Sequence, residues 1–513
     1  MDLGPEREDG NIEYKLTLGS DVDRLAGQLR RRLAEGGGEA IYLIGVADDG
    51  RPIGLPDDEL LRALTVLKEM AKKAGASLYI LRVAEGTRGK IAEVLLRSVG
   101  REEPPPTVTV ATIGNVDAGK STLVGVLTTG RLDDGKGSAR AYASRFKHEV
   151  LTGRTSSVSY RLLGFVGDSV VNHSLVDPLD EGEVYRRSDK LVLLVDVGGH
   201  ERYIRTALRG LFSSMPDYAM LVVAANSGVQ KMTKEHLGIA VAMGVPVFVV
   251  VTRIDLAPQE VFRRTIDDVF KLLKTPGVSK IPYVVRDLGD VVLAARAMPA
   301  GRVAPVFYIS NVTGHGVDLL LKFLSLLPAR RKWDPAGDFI MYISDIYIVR
   351  GVGVVVGGVV ERGSVGVGER VWVGPMEDGR WSQAVVKSIH LNRTPVEYAK
   401  AGSFVTIALD KVDRVEKGMA LAKRPLGAFR EIEADVLVLR HPTVIKPGFT
   451  GVFHYKAIRA NGYIKEIENG ELMMGDRGVV KIVLTRPWYL DMGEFIFRNS
   501  TTRIFGRILK INN

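Results

Sequence analysis

The sequence predicts an α/β P-loop fold built on a doubly wound sheet, followed by two β-barrel domains and preceded by an N-terminal α+β domain. Three observations carry this. Apolar strand-like runs bounded by glycine or proline alternate with helical segments from Thr107 to about Leu327. A glycine-rich loop, GNVDAGKS from Gly114 to Ser121, lies between the apolar strand TVTVATI and a helix. After Trp333-Asp334-Pro335, short Val-rich strands punctuated by glycine replace any helical period. The expected bounds are residues 1–103 for the N-terminal domain with its Pro-rich linker, 104–330 for the nucleotide-binding domain, 336–428 for the first barrel and 430–513 for the second.

In the N-terminal unit, IEYKL, AIYLIGV and SLYILRV read as strands, and Asp21 to Glu35 as an Arg-rich amphipathic helix. A second helix is expected from Asp57 to Ala74, with Asp57 as N-cap and an apolar stripe at Leu60, Leu61, Leu64, Leu67 and Met70. The cluster Arg30, Arg31 and Arg32 reads as a solvated helix face in preference to an RNA contact. Glu102 to Pro106 has stiff, helix-breaking linker composition.

The strand–loop–helix junction is the setting that a phosphate cradle requires. Amides of Asn115, Val116, Asp117, Ala118 and Gly119 and the following helix N-terminus, with Thr122, point donors at phosphate oxygens. Lys120 reaches the outer phosphates, and the Ser121 hydroxyl is a Mg²⁺ ligand. Further on, LVLLVDVGGH ends a strand with Asp196, Gly199 and His200, so a carboxylate can hold the Mg²⁺ shell while the Gly199 amide approaches a γ-phosphate. PVFVVVTRID ends another with Thr252, Arg253 and Asp255, a near match to the Asn-Lys-x-Asp guanine reader. A buried Asp255 carboxylate accepts from both N1–H and the exocyclic amine of guanine, whereas adenine leaves it unpaired, a discrimination on the order of 10⁴-fold. GTP is therefore expected over ATP. Ser310 and Asn311 of PVFYISN back the base. All four segments fall at strand carboxyl ends, where this architecture binds ligands.

At 513 residues the chain has room for about three or four domains. It contains no cysteine, which excludes disulfides, thiol catalysis and Cys-type zinc sites. No run approaches the ~18 apolar residues of a membrane span, and a cytoplasmic protein without a membrane partner is expected. The net charge is +10, and the positive excess lies entirely beyond residue 103. That placement suits a polyanion such as RNA, bound with counterion release.

These motifs resemble those of translational GTPases of the elongation-factor type, and specifically the elongation factor 1-alpha-like GTP-binding protein 1/2 family. GNIEYKL, EAIYLIGV, GNVDAGKSTL, GRTSSV, MTKEHLG, KSIH and VLRHPTVIKPG are family-like, and the resemblance covers essentially the whole chain. It implies hydrolysis of GTP to GDP and phosphate by water attack on the γ-phosphate, with His200 orienting the water. It implies Mg²⁺ held by Ser121, by Asp196 through water, and by a hydroxyl of the first switch, which is Thr155 or, in the other register, Ser157. It also implies a monovalent cation, K⁺ or Na⁺, at Asp117. Two departures stand out. Family members gate the histidine between two apolar residues; Val116 matches one, but Arg154 stands at the other, and Gly198 replaces a common proline. The two strand-rich blocks are similar to the second and third domains of elongation factors. The partners implied are aminoacyl-tRNA and the ribosome, for a monomer. A GTPase carrying a tRNA-like protein in ribosome rescue or RNA surveillance is an alternative, as is the regulatory GTPase of ATP sulfurylase, which needs no RNA. The N-terminal unit, MTKEHLG and HPTVIKPG favour the first two readings.

Overall fold

The computed structural model of the chain describes residues 6, 10–99, 104–144, 149, 155–410, 412, 414–499 and 501–512. Arg154 of the expected gate, and Glu102 and Glu103 of the expected linker, lie outside the described residues.

Strands β1 (Ile12–Lys15), β2 (Glu39–Ile44), β3 (Ala76–Glu85) and β4 (Lys90–Ser98) form a sheet of order β1-β2-β4-β3. The sequence pattern predicts the first three of these strands but not β4. Strand β4 lies between β2 and β3 and is buried along almost its whole length, so it lacks the alternation that marks a half-buried strand. Helices α1 (Val22–Glu35) and α2 (Asp57–Ala74) supply Leu25, Leu29, Leu33, Leu60, Leu67 and Met70 to the core over this sheet. Asp21 caps α1 by accepting from the Arg24 amide.

Three expectations for this unit are corrected. Pro56, not Asp57, occupies the N-cap of α2, and the Asp57 carboxylate instead meets Lys90 at 2.9 Å. Leu61 is 68% exposed, because the buried face of α2 is centred on Leu60, Leu67 and Met70. Arg32 is buried, paired with Glu13 at 2.5 Å and Glu6 at 3.2 Å, while Arg30 and Arg31 alone remain solvated.

The central sheet contains β5 (Thr107–Gly114), β6 (Ser159–Val166), β7 (Ser169–Val170), β8 (Lys190–Asp196), β9 (Tyr218–Ala224), β10 (Val247–Thr252), β11 (Ile281–Val284) and β12 (Val303–Tyr308). Their order is β11-β12-β10-β9-β5-β8-β6-β7, with β6 and β7 antiparallel and the rest parallel. The chain passes from β8 on one side of β5 to β9 on the other, which opens a crevice at the carboxyl ends of these strands. Apolar clusters line both faces, as expected for a doubly wound fold.

The remaining chain is strand-rich. Ile340–Tyr342 pairs with both Ala420–Ala422 and Gly353–Arg362, which returns the sheet on itself as a barrel. Six further strands, from Phe429–Arg440 to Arg503–Asn512, form a second closed barrel. Both barrels dock on the α/β domain. Ile496 and Phe505 of the second and Phe404 of the first join its core cluster, and helix α3 (Ile204–Ser214) packs against Gly353–Arg362 of one and Thr450–Tyr455 of the other. Among the described residues no helix is long and apolar enough to cross a membrane.

The N-terminal sheet is joined to the α/β domain by buried charge. Arg97, fully buried, donates to Glu39 at 2.8 Å, to Asp189 at 3.3 Å and to the carbonyls of Gly167 and Ser325. Lys190, also fully buried, donates to Glu39 at 2.6 Å and to the Leu327 carbonyl at 2.8 Å.

Candidate functional site

Strand β5 ends at Gly114, where φ is +133° and a Cβ would lie 2.3 Å from the Val222 carbonyl oxygen, so glycine is the residue that fits. The loop then turns through Asp117 at φ 59° and Gly119 at φ +84°, the residue before helix α4 (Lys120–Thr129). Thr122 is in the first turn of α4, whose free amides face the loop. Lys120 folds back to donate to the Asn115 carbonyl at 2.6 Å. Burial lowers its pKa to about 8, against the pull of Asp196 and Asp117. A buried ammonium lying along its own loop suits an anion at this position. Asp117 is exposed and lines the same cleft as Val116.

At the far side of this cleft, Ser121 Oγ donates to Asp196 Oδ2 at 2.5 Å and lies 2.8 Å from Thr155 Oγ1. Asp196 ends β8; its second oxygen, Oδ1, is buried with no hydrogen-bond partner among the described residues, and burial pushes its pKa up to about 6. These oxygens suit Mg²⁺. With metal–oxygen bonds of about 2.0–2.1 Å in an octahedron, adjacent ligands stand roughly 2.9 Å apart, close to the Ser121–Thr155 separation. Ser157 is elsewhere: its amide and hydroxyl both donate to Glu149.

The turn after β8 presses on the loop. A Cβ on Gly199 would lie 2.3 Å from Lys120 Nζ and 2.6 Å from the Asn115 carbonyl carbon, and one on Gly198 would lie 2.6 Å from the Thr155 carbonyl oxygen. His200 is half-buried, accepts from the Arg202 amide through Nδ1 at 3.1 Å, and lines the cleft with Val116 and Thr155.

Opposite, Thr252 Oγ1 donates to the Ala118 carbonyl at 2.7 Å, tying the end of β10 to the phosphate loop. Arg253 follows at φ 58° and lines the cleft. Asp255 is exposed, not buried as expected, because the segment after β10 carries it beyond the sheet. Asn311 is buried with Oδ1 unpartnered among the described residues, and Ser310 Oγ accepts from the Thr313 amide at 3.0 Å. A Cβ on Gly119 would stand 3.5 Å from Thr252 Oγ1 and 3.6 Å from Asn311 Nδ2, so three strand ends converge there.

Sequence reasoning missed His236. It lies on helix α5 (Lys231–Ala242), fully buried, and accepts from the Gly114 amide at 3.0 Å through Nδ1. Burial, then Lys120, lowers its pKa to about 3, so the ring is neutral. MTKEHLG contains it, but nothing local marks a partner 122 residues away. Arg140, which lines the cleft, was also missed.

Known proteins resemble this chain at several levels. The profile of the elongation factor Tu GTP binding domain matches residues 105–329. GTP-binding protein 1 of Xenopus laevis is 39% identical over 503 residues, spanning 95% of this chain and 76% of that protein. GTP-binding protein 2 of Mus musculus is 38% identical over 532 residues, spanning 99% and 88%. Among solved structures, translation elongation factor SelB from Methanococcus maripaludis in complex with a GTP analogue superposes with a TM-score of 0.57 at 20% identity, covering 80% of each chain.

Proposed function

Because the chain belongs to the GTP-binding protein 1/2 family of translation-factor-type GTPases, we propose that it binds an aminoacylated tRNA in its GTP state and gives it up at the ribosome after hydrolysis. The observation that carries this reading is a cavity of about 440 Å³ between the α/β domain and the first barrel. One wall is Val158 to Arg161, which begins three residues after Thr155; the other contains His390, Asn392, Arg393 and Phe404. Tyr160 stacks on Phe404 at 4.7 Å between centroids, and Glu181 meets Arg393 at 3.5 Å. Aromatic faces and guanidinium groups suit a nucleoside with an attached acyl group. A wall continuous with a phosphate-reading segment makes that cavity sensitive to nucleotide state.

In this reading Lys120 holds the β- and γ-phosphates, the Gly199 amide donates to the γ-phosphate, and Thr252, Asp255, Ser310 and Asn311 enclose guanine. Ser121 and Thr155, with Asp196 through water, would hold Mg²⁺, which would supply charge neutralisation at the phosphates. Asp117 takes the monovalent cation. His200 rotates from the Arg202 amide to orient the attacking water. Unassisted GTPases of this kind turn over at ~10⁻⁴ s⁻¹, so the switch waits for the ribosome. The test is retention of aminoacyl-tRNA, deacylated tRNA and bulk RNA on immobilised protein loaded with a non-hydrolysable GTP analogue or with GDP. Selective retention of aminoacyl-tRNA with the analogue is expected; equal retention of all three in both states contradicts the reading.

A further inference from the structure

We infer that Glu149 is the positioning residue of the first switch: its carboxylate clasps Ser156 and Ser157 and so holds Thr155 over the phosphate end of the cleft. Glu149 is 2% exposed. A single oxygen, Oε1, accepts from the Ser156 amide at 2.7 Å, the Ser156 hydroxyl at 2.9 Å, and the amide and hydroxyl of Ser157, each at 2.9 Å. Amides of consecutive residues point to opposite sides in an extended strand, so their meeting on one oxygen bends the chain there.

The position of this bend gives it its effect. Ser159 is fixed by its pairing with Asp196 at the edge of the sheet, and Thr155 contacts Ser121. The clasp occupies the span between these two anchors. Burial opposes ionisation of Glu149, but the hydrogen bonds from Ser156 and Ser157 outweigh it and hold its pKa at about 2. The carboxylate is therefore charged throughout the physiological range, and its charge also reaches Asp196. Hydrogen bonds to an ionised acceptor are roughly twice as strong as neutral ones, and a glutamine in its place is a neutral acceptor whose amide must turn one donor toward donors.

The phosphate loop and the base-reading segments grip GTP and GDP alike, whereas the clasp acts on the segment that carries Thr155. In the proposed reading the third phosphate is met by the Gly199 amide and by Thr155, and of these only Thr155 adjoins the clasp. Loss of the clasp must therefore fall on GTP alone, a split that general destabilisation does not produce.

The inference rests on the reading of this chain as a GTP switch, and the experiment separates the two. Dissociation of fluorescent GDP and of a non-hydrolysable fluorescent GTP analogue is timed in the full chain, in Glu149→Gln and in Ser156→Ala/Ser157→Ala, with no RNA present. E149Q is expected to release the GTP analogue on the order of 10-fold faster with GDP release unchanged. The double alanine variant, which keeps both backbone donors, shows a smaller change of the same kind. Equal acceleration of both nucleotides, or of neither, in both variants overturns the inference while leaving the switch reading intact. A native chain that binds neither nucleotide overturns both.

Discussion

Gly199 leaves no room for a side chain. Its missing Cβ would meet the Lys120 ammonium and the backbone of Asn115, and backbone cannot yield as a flexible side chain does. Gly199→Ala is expected to push the turn off the loop and cut affinity for a GTP analogue at least about tenfold with GDP little changed, read by nucleotide titration. His200→Ala is expected to leave GTP binding intact while lowering ribosome-stimulated hydrolysis on the order of 10²-fold, measured by phosphate release. Unchanged stimulated turnover would remove His200 from the chemistry. At the base end, Asp255→Ala should erase most of a GTP-over-ATP preference on the order of 10⁴; competition between the two nucleotides reads this directly. That Lys120, Ser121, Asp196, Gly199, His200 and Arg253 stand near one another was legible in the sequence, because spacing from strand to loop places them at neighbouring strand ends. Glu149 and His236 were not: His236 serves a strand 122 residues away, and Glu149, though only seven and eight residues before Ser156 and Ser157, lies in no motif that names its partners. The exposure of Asp255 was likewise hidden, being set by the path of the chain after β10.

At the scale of elements, the strands that present the site were readable from composition, and β4 was not. A strand buried on both faces gives no period to read. The docking of the N-terminal sheet was equally invisible, because it depends on Arg97, Asp189 and Lys190, which as a sequence look like ordinary surface charge. These groups bear measurably on stability. Arg97→Ala leaves Glu39 and Asp189 with fewer partners in a buried setting, and breaking such an arrangement costs about 3–5 kcal/mol; a clearly lower thermal midpoint is expected, and an unchanged one would contradict the assigned role. Burial opposes ionisation of Glu39, but Lys190 and Arg97 outweigh it and hold its pKa below the ordinary 4.5. A carboxylate with a depressed folded pKa stabilises above its unfolded value and loses that contribution as pH falls through the folded one. The Glu39 contribution to docking of the N-terminal unit is therefore expected to be fully present above pH 4.5 and to weaken below it, as hydrogen exchange along β4 would report. Helix α3 raises a complementary point. It follows the Asp196–His200 turn and abuts both barrels, so movement of that turn cannot leave them undisturbed.

For the whole molecule, the order of the α+β unit, nucleotide domain and two barrels was legible because each has its own periodicity. Their packing was not, because the contacts that join them, such as Glu235 with Arg503 at 2.6 Å, pair residues from separate domains. The assembled molecule has a strand of the α/β domain at one side of a cavity and a barrel at the other, and a positive charge excess beyond residue 103. That combination is the physical content of the proposed carrier function: in that reading the third phosphate orders the segment at Thr155, just before the strand that forms the wall, and the wall encloses the acylated end of an RNA. An enclosed ester is shielded from water, so the most direct measurement is the hydrolysis rate of the aminoacyl ester of tRNA with excess protein and either a GTP analogue or GDP. The account predicts slowed hydrolysis with the analogue and the free rate with GDP; the same rate in both nucleotide states would contradict it.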